Sequence, residues 1–404
     1  MFVHQLCGSW IDHPFWRSRF LLRLERDVEK LRRCGIGEAV IDTSRGLDFA
    51  GASTPAEPEP ALPPGAAAVV VAVAAEAAPP DPALARIGAE YGDAARLCET
   101  ATATVLALFN EARFGHAIDA QACLPLVEEI VDSVLSAPDR LISVARLKTA
   151  AGYTQMHSVA VCALMVALAR QLELPPALIR EAGLAGLLHD IGKAKVPPEL
   201  LDRPGRLADK ELDVLRSHAV RGRQLLVEGG SAGSAVLDMA LHHHERADGS
   251  GYPDRLAGDR IHLFSRMGAV CDVYDAVTSR RPYRAPWDPG DAMRQMAQAK
   301  GQFDATVFQS FVKAVGIYPT GSLVRLQSER LAVVIGQGGN GSLLTPKVRV
   351  FYSVEERHLV QPFVLDLGDP RRDDRITGVE PPEGWRFPDL DKLWLAGSGP
   401  KPVG

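Results

Sequence analysis

Histidines and acidic residues are concentrated in one part of the chain, where their side chains could bind metal ions. Seven of the eleven histidines lie in this part: His157, His189, His218, His242, His243, His244 and His262. Asp190 and Asp272 lie in the same part. A single buried histidine is more often a satisfied core residue than a ligand, but a dense set on successive segments favours a metal centre. Imidazole and carboxylate together suit Fe, Mn, Zn or Ni, and a carboxylate can bridge two ions.

These residues fall on segments with the hydrophobic period of helices. Apolar residues recur at i, i+3, i+4 and i+7 in "SVAVCALMVALARQL", "ALIREAGLAGLLHD" and "KELDVLRSHAVRGRQLL", and short loops with Pro or Gly separate these segments. Neighbouring residues are about 100° apart around a helix, so Asp190 can reach a second ion that His189 cannot. Helix bundles build metal sites from several helices, and five are predicted to contribute here. The contributions are His157, His189 with Asp190, His218, His243 with His244, and Asp272.

Two glycine-containing segments near the histidines are predicted to shape the cavity. Gly192 follows residues 189–190 and would release the helix there, so that the backbone turns and Lys193 points into the same cavity. Residues 251–253, Gly-Tyr-Pro, suit a loop, because glycine permits backbone conformations that are closed to other residues.

The whole chain divides by composition into five segments, and the predicted fold class is mainly α. Residues 1–48 contain strand-like "FVHQLCGSW" and "EAVIDT" and a helical "RDVEKLRRCG", as expected for a small α/β domain. Residues 83–318 follow the helical period, and residues 319–370 alternate apolar and polar side chains as β-strands do. The Ala- and Pro-rich residues 49–82 are predicted to form a linker, and residues 371–404 a polar tail. We therefore expect an all-helical bundle with a small α/β N-terminal domain and a β-rich C-terminal extension.

Charge and cysteine usage exclude several classes of protein. The formal net charge of −5 argues against a general nucleic-acid binder, which would carry a basic excess. The six cysteines form no CxxC pair, so a reducing compartment is expected rather than a disulfide framework. The longest apolar run, residues 66–78, is too short to span a bilayer, and no signal peptide is recognisable. The predicted location is the cytoplasm.

Three longer motifs occur in the order "HDIGK", "HHERADGSGYP" and "CDVYDAVTSRRPYR". In this order they resemble the HD-GYP family, bacterial phosphodiesterases that hydrolyse the second messenger cyclic di-GMP and belong to the HD metal-phosphohydrolase superfamily. The flanking "KVPPELLDRPGRL", "DKELDVLRSH" and "FDATVFQSF" extend the resemblance. The segment "GSWIDHPFWRSRFLL" resembles the small domain often placed ahead of HD-GYP domains, and "GIYPTGSLVRL" resembles their β-rich tail. The resemblance implies an HD-type helical bundle.

The resemblance also implies a ligand set for two divalent ions, with Fe or Mn as the expected metals. The first ion would be bound by His157, His189, Asp190 and Asp272. The second would be bound by Asp190, as the bridging group, with His218, His243 and His244. Tyr153 occupies the position at which family members with three metals have Glu, so two ions are expected rather than three. His242 is expected to be a packing or supporting residue, and His262 a structural one.

Further residues match family positions around the substrate. Lys193, Arg281 and Arg284 match phosphate-contacting positions, and arginine offers a bidentate fork to phosphate. The loop residues Gly251, Tyr252 and Pro253 are expected to border the site and to contribute to specificity. Glu245 and Asp248 are expected to orient the histidines and the loop. For Asp275, this role and a simple charge on the helix surface are both open.

The implied function is hydrolysis of cyclic di-GMP to pGpG, with further hydrolysis to GMP left open. Two cations would activate a bridging water and bind the phosphodiester oxygens, Asp190 would bridge the ions and Lys193 would stabilise the phosphate charge. This activity would lower the second messenger in bacterial signalling that governs biofilm, motility and virulence. Signalling proteins such as GGDEF-domain cyclases are possible protein partners. Two alternatives remain: a non-catalytic cyclic di-GMP receptor, and an HD phosphohydrolase that acts on other nucleotides.

Overall fold

The computed structural model describes most of the chain from residue 91 onward and three short strands before it. The described residues are 2–7, 20–21, 38–41, 91–146, 153–201, 203, 207–279, 286–338, 342–385, 387 and 390–395. The chain divides into two compact units, residues 1–80 and 81–404.

The first unit contains a three-stranded antiparallel sheet. Strand β1 (Phe2–Cys7) lies between β2 (Phe20–Leu21) and β3 (Glu38–Ile41). Strands β1 and β3 fall in "FVHQLCGSW" and "EAVIDT", so the two predicted strands are confirmed. The predicted helix "RDVEKLRRCG" and the predicted linker at residues 49–82 lie outside the described residues.

Helices make up most of the described part of the second unit, which confirms the predicted mainly α class. In chain order they are α1 (Gly92–Phe114), α2 (Leu124–Ser136), α3 (Pro138–Ala145), α4 (Tyr153–Gln171), α5 (Pro176–Leu188), α6 (Pro198–Leu201), α7 (Asp209–Arg216), α8 (His218–Gly229), α9 (Ser234–His242), α10 (Leu263–Thr278), α11 (Pro289–Gln298) and α12 (Ala305–Val315). Among the described residues, none of the helices combines the length and the apolar character that a bilayer span requires.

Helix α4 is the centre of the bundle and is buried on all sides. Every residue from Met156 to Ala169 is buried, because α1, α3, α5, α10 and α12 pack around this helix. Its surface consists largely of small apolar side chains, as expected for a helix that is surrounded by others. Helix α5 approaches closely, since a Cβ atom at Gly186 would lie 2.9 Å from the Cα atom of Cys162. This packing fixes the position of His157, which lies in the second turn of α4.

Two local features differ from the prediction. The segment "KELDVLRSHAVRGRQLL" forms two helices, α7 and α8, so that His218 is the first residue of a new helix. Gly192 lies within a 3₁₀ turn, Ile191–Lys195. Its backbone does not have the positive φ that favours glycine. A Cβ atom there would overlap the carbonyl oxygen of His218, so Gly192 is required because the turn packs directly on α8. The predicted role of Gly192 as a helix-ending residue is therefore wrong.

A five-stranded antiparallel sheet follows the bundle, as the alternating pattern predicted. Its strands are β4 (Leu323–Leu326), β5 (Arg330–Gly336), β6 (Lys347–Ser353), β7 (His358–Asp366) and β8 (Ile376–Val379). Their order across the sheet is β7-β6-β5-β4-β8. A small apolar core lies on one face and includes Val324, Val334, Val348 and Val350.

Part of the segment predicted to be a polar tail is ordered in the structure. Strand β8 pairs with β4, and the short helix α13 (Asp391–Leu395) buries Trp394 and Leu395. The ring of Trp394 packs edge-on against Tyr91, 5.8 Å away between ring centroids. These elements are too short to show a hydrophobic period of their own. They are stabilised by contacts with residues that are far away in the sequence. The boundaries predicted at residues 48, 82, 318 and 370 stay predictions.

Candidate metal centre

Side chains from the ends of several helices converge on one buried cluster. His157 comes from α4, His218 from the start of α8, and Asp272 from α10. The pairs at residues 189–190 and 243–244 follow α5 and α9 directly. Three overlapping groups have potential ligand atoms within 4.8 Å of one another: His157 with His189 and Asp272, His189 with Asp190 and His243, and His218 with His243 and His244. The structure therefore brings together all seven residues that were predicted to bind metal.

Asp190 lies at the centre of this cluster, and its two carboxylate oxygens face different histidines. Its Oδ2 lies 3.6 Å from Nε2 of His157 and 3.4 Å from Nε2 of His189. Its Oδ1 lies 3.3 Å from Nε2 of His218 and 3.7 Å from Nε2 of His243. The carboxylate is fully buried. A carboxylate in this position can bind a different ion with each oxygen.

Hydrogen bonds on the far side of the rings fix the orientation of four histidines. In each of them Nδ1 contacts an oxygen: His157 with Asp275 (2.6 Å), His189 with Gly186 (2.7 Å), His218 with Leu215 (2.6 Å) and His243 with Met239 (3.0 Å). A carbonyl oxygen can only accept, so Nδ1 of the three carbonyl-bound rings carries the hydrogen. Nε2 of those rings then presents its lone pair to the cavity, as metal-binding histidines do.

Several polar atoms in the cluster lack a satisfactory partner. Nε2 of His218 lies 3.3 Å from Nε2 of His243, although both of these atoms carry lone pairs. Within the described residues, neither Nε2 of His189 nor Oδ1 of Asp190 has a hydrogen-bond partner. Buried polar atoms without a partner are costly, and cations placed among these atoms would remove the cost. The donor set therefore fits divalent metal ions.

At Asp190, His243 and His244, the electrostatics of the cluster favour the protonation states that metal binding requires. Burial, aided by the nearby His189, lowers the pKa of His243 to about 3, and burial also holds the pKa of His244 well below its usual value. Burial opposes ionisation of Asp190, but Lys193, His189 and His218 together outweigh it, so the pKa of Asp190 is well below its usual value. Neutral imidazoles and an ionised carboxylate are the forms that bind metal.

Asp275 is buried beside the cluster and contacts a predicted ligand. Its Oδ2 lies 2.6 Å from Nδ1 of His157, and its Oδ1 accepts a hydrogen bond from the Ser279 hydroxyl. The alternative that Asp275 is a charge on the helix surface is wrong, because the residue is only 2% exposed.

The other residues expected to support the site act on the adjacent loop. Oε1 of Glu245 accepts a hydrogen bond from the backbone N–H of Asp254, and Asp248 accepts two from Ser250. Among the described contacts, neither acidic side chain reaches a ring of the cluster. His262 caps α10, because its Nδ1 accepts a hydrogen bond from the N–H of Phe264, in agreement with its predicted structural role.

The structure describes some of the predicted substrate-binding residues but not all of them. Lys193 forms an ion pair with Asp190, and its side chain is 21% exposed. The ring of Tyr252 stacks on His244, with 4.7 Å between ring centroids. Gly251 is required by a close approach of the backbone, since a Cβ atom there would lie 2.5 Å from Cα of Glu245. The positions of Arg281 and Arg284 lie outside the described residues.

Three nearby residues were not identified from the sequence. The guanidinium of Arg216 lies over the ring of Tyr252, 5.3 Å from its centroid. Asp238 and Asp254 bind the two ring nitrogens of His242. Only the position of Arg216 two residues before His218 hinted at proximity to the site.

Tyr153 stacks on the opposite side of the cluster. Its ring is nearly parallel to that of His157, with 5.9 Å between ring centroids. An aromatic side chain therefore lies beside the first group of histidines.

Comparisons with known proteins agree with this architecture. The HD domain model matches residues 126–307, and the model for the domain of unknown function DUF3391 matches residues 1–123. Cyclic di-GMP phosphodiesterase PA4108 of Pseudomonas aeruginosa is 51% identical over 395 residues, which cover 98% of this chain and 92% of the relative.

Two further relatives match a smaller part of this chain. The 3'3'-cGAMP-specific phosphodiesterase 1 of Vibrio cholerae is 36% identical over 45% of this chain and 42% of its own length. The cyclic di-GMP phosphodiesterase response regulator RpfG of Xanthomonas campestris is 40% identical over 33% of this chain and 36% of its own length. A helical HD domain built around a His and Asp cluster defines a metal-dependent hydrolase that binds divalent metal. Within that class, the near full-length identity to the Pseudomonas relative shows that the chain belongs to the HD-GYP family.

Proposed function

We propose that this protein is a phosphodiesterase that hydrolyses cyclic di-GMP to pGpG and so lowers the second messenger in bacterial signalling. The observation that carries the proposal is the position of Asp190, whose two oxygens face two separate groups of histidine nitrogens. The 51% identity to a protein named cyclic di-GMP phosphodiesterase supports the choice of substrate.

The cluster would hold two divalent ions, one on each side of Asp190. The first would bind His157, His189, Asp190 and Asp272, and the second would bind Asp190, His218, His243 and His244. The hydrogen bonds at Nδ1 would keep the rings in place before an ion arrives. Tyr153 offers an aromatic ring rather than a carboxylate, which supports two ions rather than three.

Two such ions would supply Lewis-acid activation of water and neutralisation of charge on the phosphate. The protein's own residues would bind and orient the substrate. Lys193 is paired with Asp190 and partly exposed, so its ammonium group can approach a phosphate at the open side of the cluster. Tyr252 would border the substrate with its aromatic ring, which is already fixed on His244. Arg281 and Arg284 stay predicted phosphate contacts.

The metal is proposed to be Fe or Mn. Mixed imidazole and carboxylate donors accept either metal, and the affinity order alone does not select one of them. Metal analysis after purification without oxygen tests this choice, because Fe(II) lost through oxidation would otherwise be missed. Zn or Ni as the sole metal of active protein would contradict it.

The cellular setting is also part of the proposal. We place the enzyme in the cytoplasm, where GGDEF-domain cyclases are candidate protein partners. The scattered cysteines support a reducing compartment, and Cys98, Cys123, Cys162 and Cys271 are all buried.

A hydrolysis assay with several nucleotides tests the function. Wild-type protein would be compared with Asp190→Ala on cyclic di-GMP, 3'3'-cGAMP and dNTPs, with product analysis to distinguish pGpG from GMP. Asp132→Ala serves as a control, because Asp132 is an exposed acidic residue on α2. We expect cyclic di-GMP to be the best substrate and Asp190→Ala to be inactive.

Three results would redirect the proposal. Faster turnover of dNTPs would support an HD phosphohydrolase of other nucleotides. Faster turnover of 3'3'-cGAMP would place the protein with its Vibrio relative. Tight binding of cyclic di-GMP without hydrolysis by fully metallated protein would support a receptor.

A further inference from the structure

His242 connects three parts of the structure beside the metal centre. Its Nδ1 lies 3.0 Å from Oδ2 of Asp238, one turn earlier on α9. Its Nε2 lies 2.9 Å from Oδ2 of Asp254, in the loop after α9. Asp238 in turn accepts a hydrogen bond of 2.6 Å from the hydroxyl of Ser265 on α10. A single imidazole therefore connects α9 with the loop, and Asp238 extends the connection to α10.

His242 differs in this respect from the two histidines that follow it. Nε2 of His243 and of His244 lie among the atoms of the cluster. Both ring nitrogens of His242 are occupied by carboxylates, so the ring has no lone pair to offer to a metal ion. The first histidine of this run is thus separated from the cluster by its hydrogen bonds, although it is adjacent to His243 in sequence.

The loop held by His242 also carries the aromatic ring that borders the cluster. Asp254 follows Tyr252 by two residues, and its backbone N–H donates to Glu245 over 2.7 Å. The N–H of Tyr252 donates to the carbonyl oxygen of His244 over 3.3 Å, and its ring stacks on the ring of the same histidine. Both residues are therefore attached through the backbone, while Tyr252 adds a ring contact with His244 and Asp254 adds a carboxylate contact with His242.

The side-chain attachment lies closer to solvent than the metal centre does. The side chain of Asp254 is 57% exposed, that of Asp238 is 29% exposed, and the ring of His242 is 11% exposed. Changes at Asp254 can therefore release the loop without opening the buried cluster.

We propose that His242 is a positioning residue: by binding Asp238 and Asp254 it fixes the loop so that Tyr252 stays stacked on His244 at the border of the substrate site. This inference rests on the proposed phosphodiesterase function. Loss of the contact would leave the ions and the cleavage step intact and would weaken binding of the complete cyclic dinucleotide. A small phosphodiester that does not reach the loop would be unaffected.

Steady-state kinetics of His242→Ala and Asp254→Ala, both loaded with metal, test the proposal. We expect KM for cyclic di-GMP to rise roughly tenfold, the size expected for a lost hydrogen bond to a charged group, while kcat stays within about twofold. Metal content and the turnover of bis(p-nitrophenyl) phosphate should match the wild type. The double variant should be no worse than either single one, because both remove the same contact.

Two controls separate this role from a general loss of stability. Asp254→Asn keeps a side-chain oxygen that can accept from His242, and it should restore most of the lost affinity. His116→Ala removes another histidine paired with a carboxylate, that of Glu111, on the exposed surface, and its KM should be unchanged. Hydrogen exchange of the peptide covering residues 246–258 reports the loop directly, and we expect faster exchange in His242→Ala.

The outcomes are distinguishable. Unchanged KM, or unchanged loop exchange, in both His242→Ala and Asp254→Ala would overturn the proposal. Loss of metal and of bis(p-nitrophenyl) phosphate turnover in both variants would also overturn it, because His242 would then act on the metal centre. If the wild type does not hydrolyse cyclic di-GMP, the proposed function fails first, and unchanged loop exchange would then be needed to reject the structural connection as well.

Discussion

The metal centre and the loop at residues 251–257 are held in different ways. The rings of His189, His218 and His243 are fixed by backbone carbonyl groups, and their side chains are at most 2% exposed. The loop relies partly on contacts between side chains, and Asp254 in it is more than half exposed. We therefore expect the metal centre to depend on the packing of the helices, and the loop to depend on a few side-chain contacts.

The largest effect is expected from Asp190→Asn. The amide cannot supply two anionic oxygens, so turnover of cyclic di-GMP and of bis(p-nitrophenyl) phosphate should both fall by roughly a thousandfold or more. Parallel assays of the two substrates measure this. If only the turnover of cyclic di-GMP fell, the separation of the metal centre from the loop would be contradicted, because Asp190 would then act in substrate recognition.

Gly192→Ala should have the next largest effect, through the framework of the site. The added methyl group would overlap the carbonyl of His218, so we expect a loss of about 2–3 kcal/mol in the free energy of unfolding. Thermal or denaturant unfolding measures it. Gly384→Ala is the matched control, because a Cβ atom there would meet open space, and an equal loss in both variants would contradict the packing argument.

Asp275→Asn should have an intermediate effect on the metal centre. Asp275 contacts Nδ1 of His157, and such supporting groups typically contribute about 10- to 100-fold to metal affinity. Titration of the metal-free protein measures the change, with Asp132→Asn as an exposed control. Unchanged affinity would show that the packing of α4 alone holds His157 in place.

Tyr252→Ala should have the smallest effect, and only on the larger substrate. The ring contacts His244 but offers no group to the ions, so KM for cyclic di-GMP should rise by roughly tenfold, the size expected for a lost stacking contact. Turnover of bis(p-nitrophenyl) phosphate should not change. A comparable loss for both substrates would contradict the separation between the centre and the loop.

The sequence predicted the helices of the bundle well, because α2 has one clear apolar face, and α4 and α5 are apolar segments bounded by loops. The strands β4 to β7 followed from alternation in the same way. Strand β8 and helix α13 did not, since their stability depends on β4 and Tyr91, which are far away in the sequence. Local pattern carries no information about such partners.

The candidate site shows the same limit. His157, His218 and Asp272 could be selected because their motifs resemble a family, and the structure brings them together. The packing of Gly192 on α8 and the bonds of His242 to Asp238 and Asp254 could not be selected, because they depend on how separate elements meet.

Counting the ions per chain tests the central claim most directly. Wild-type protein purified without oxygen would be compared with His157→Ala and Asp190→Asn by elemental analysis on the same protein samples. With Asp190 bridging two sites, we expect about two ions in the wild type, about one in His157→Ala and fewer than about one in Asp190→Asn. A single ion in active wild-type protein, or two ions retained in Asp190→Asn, would contradict the account.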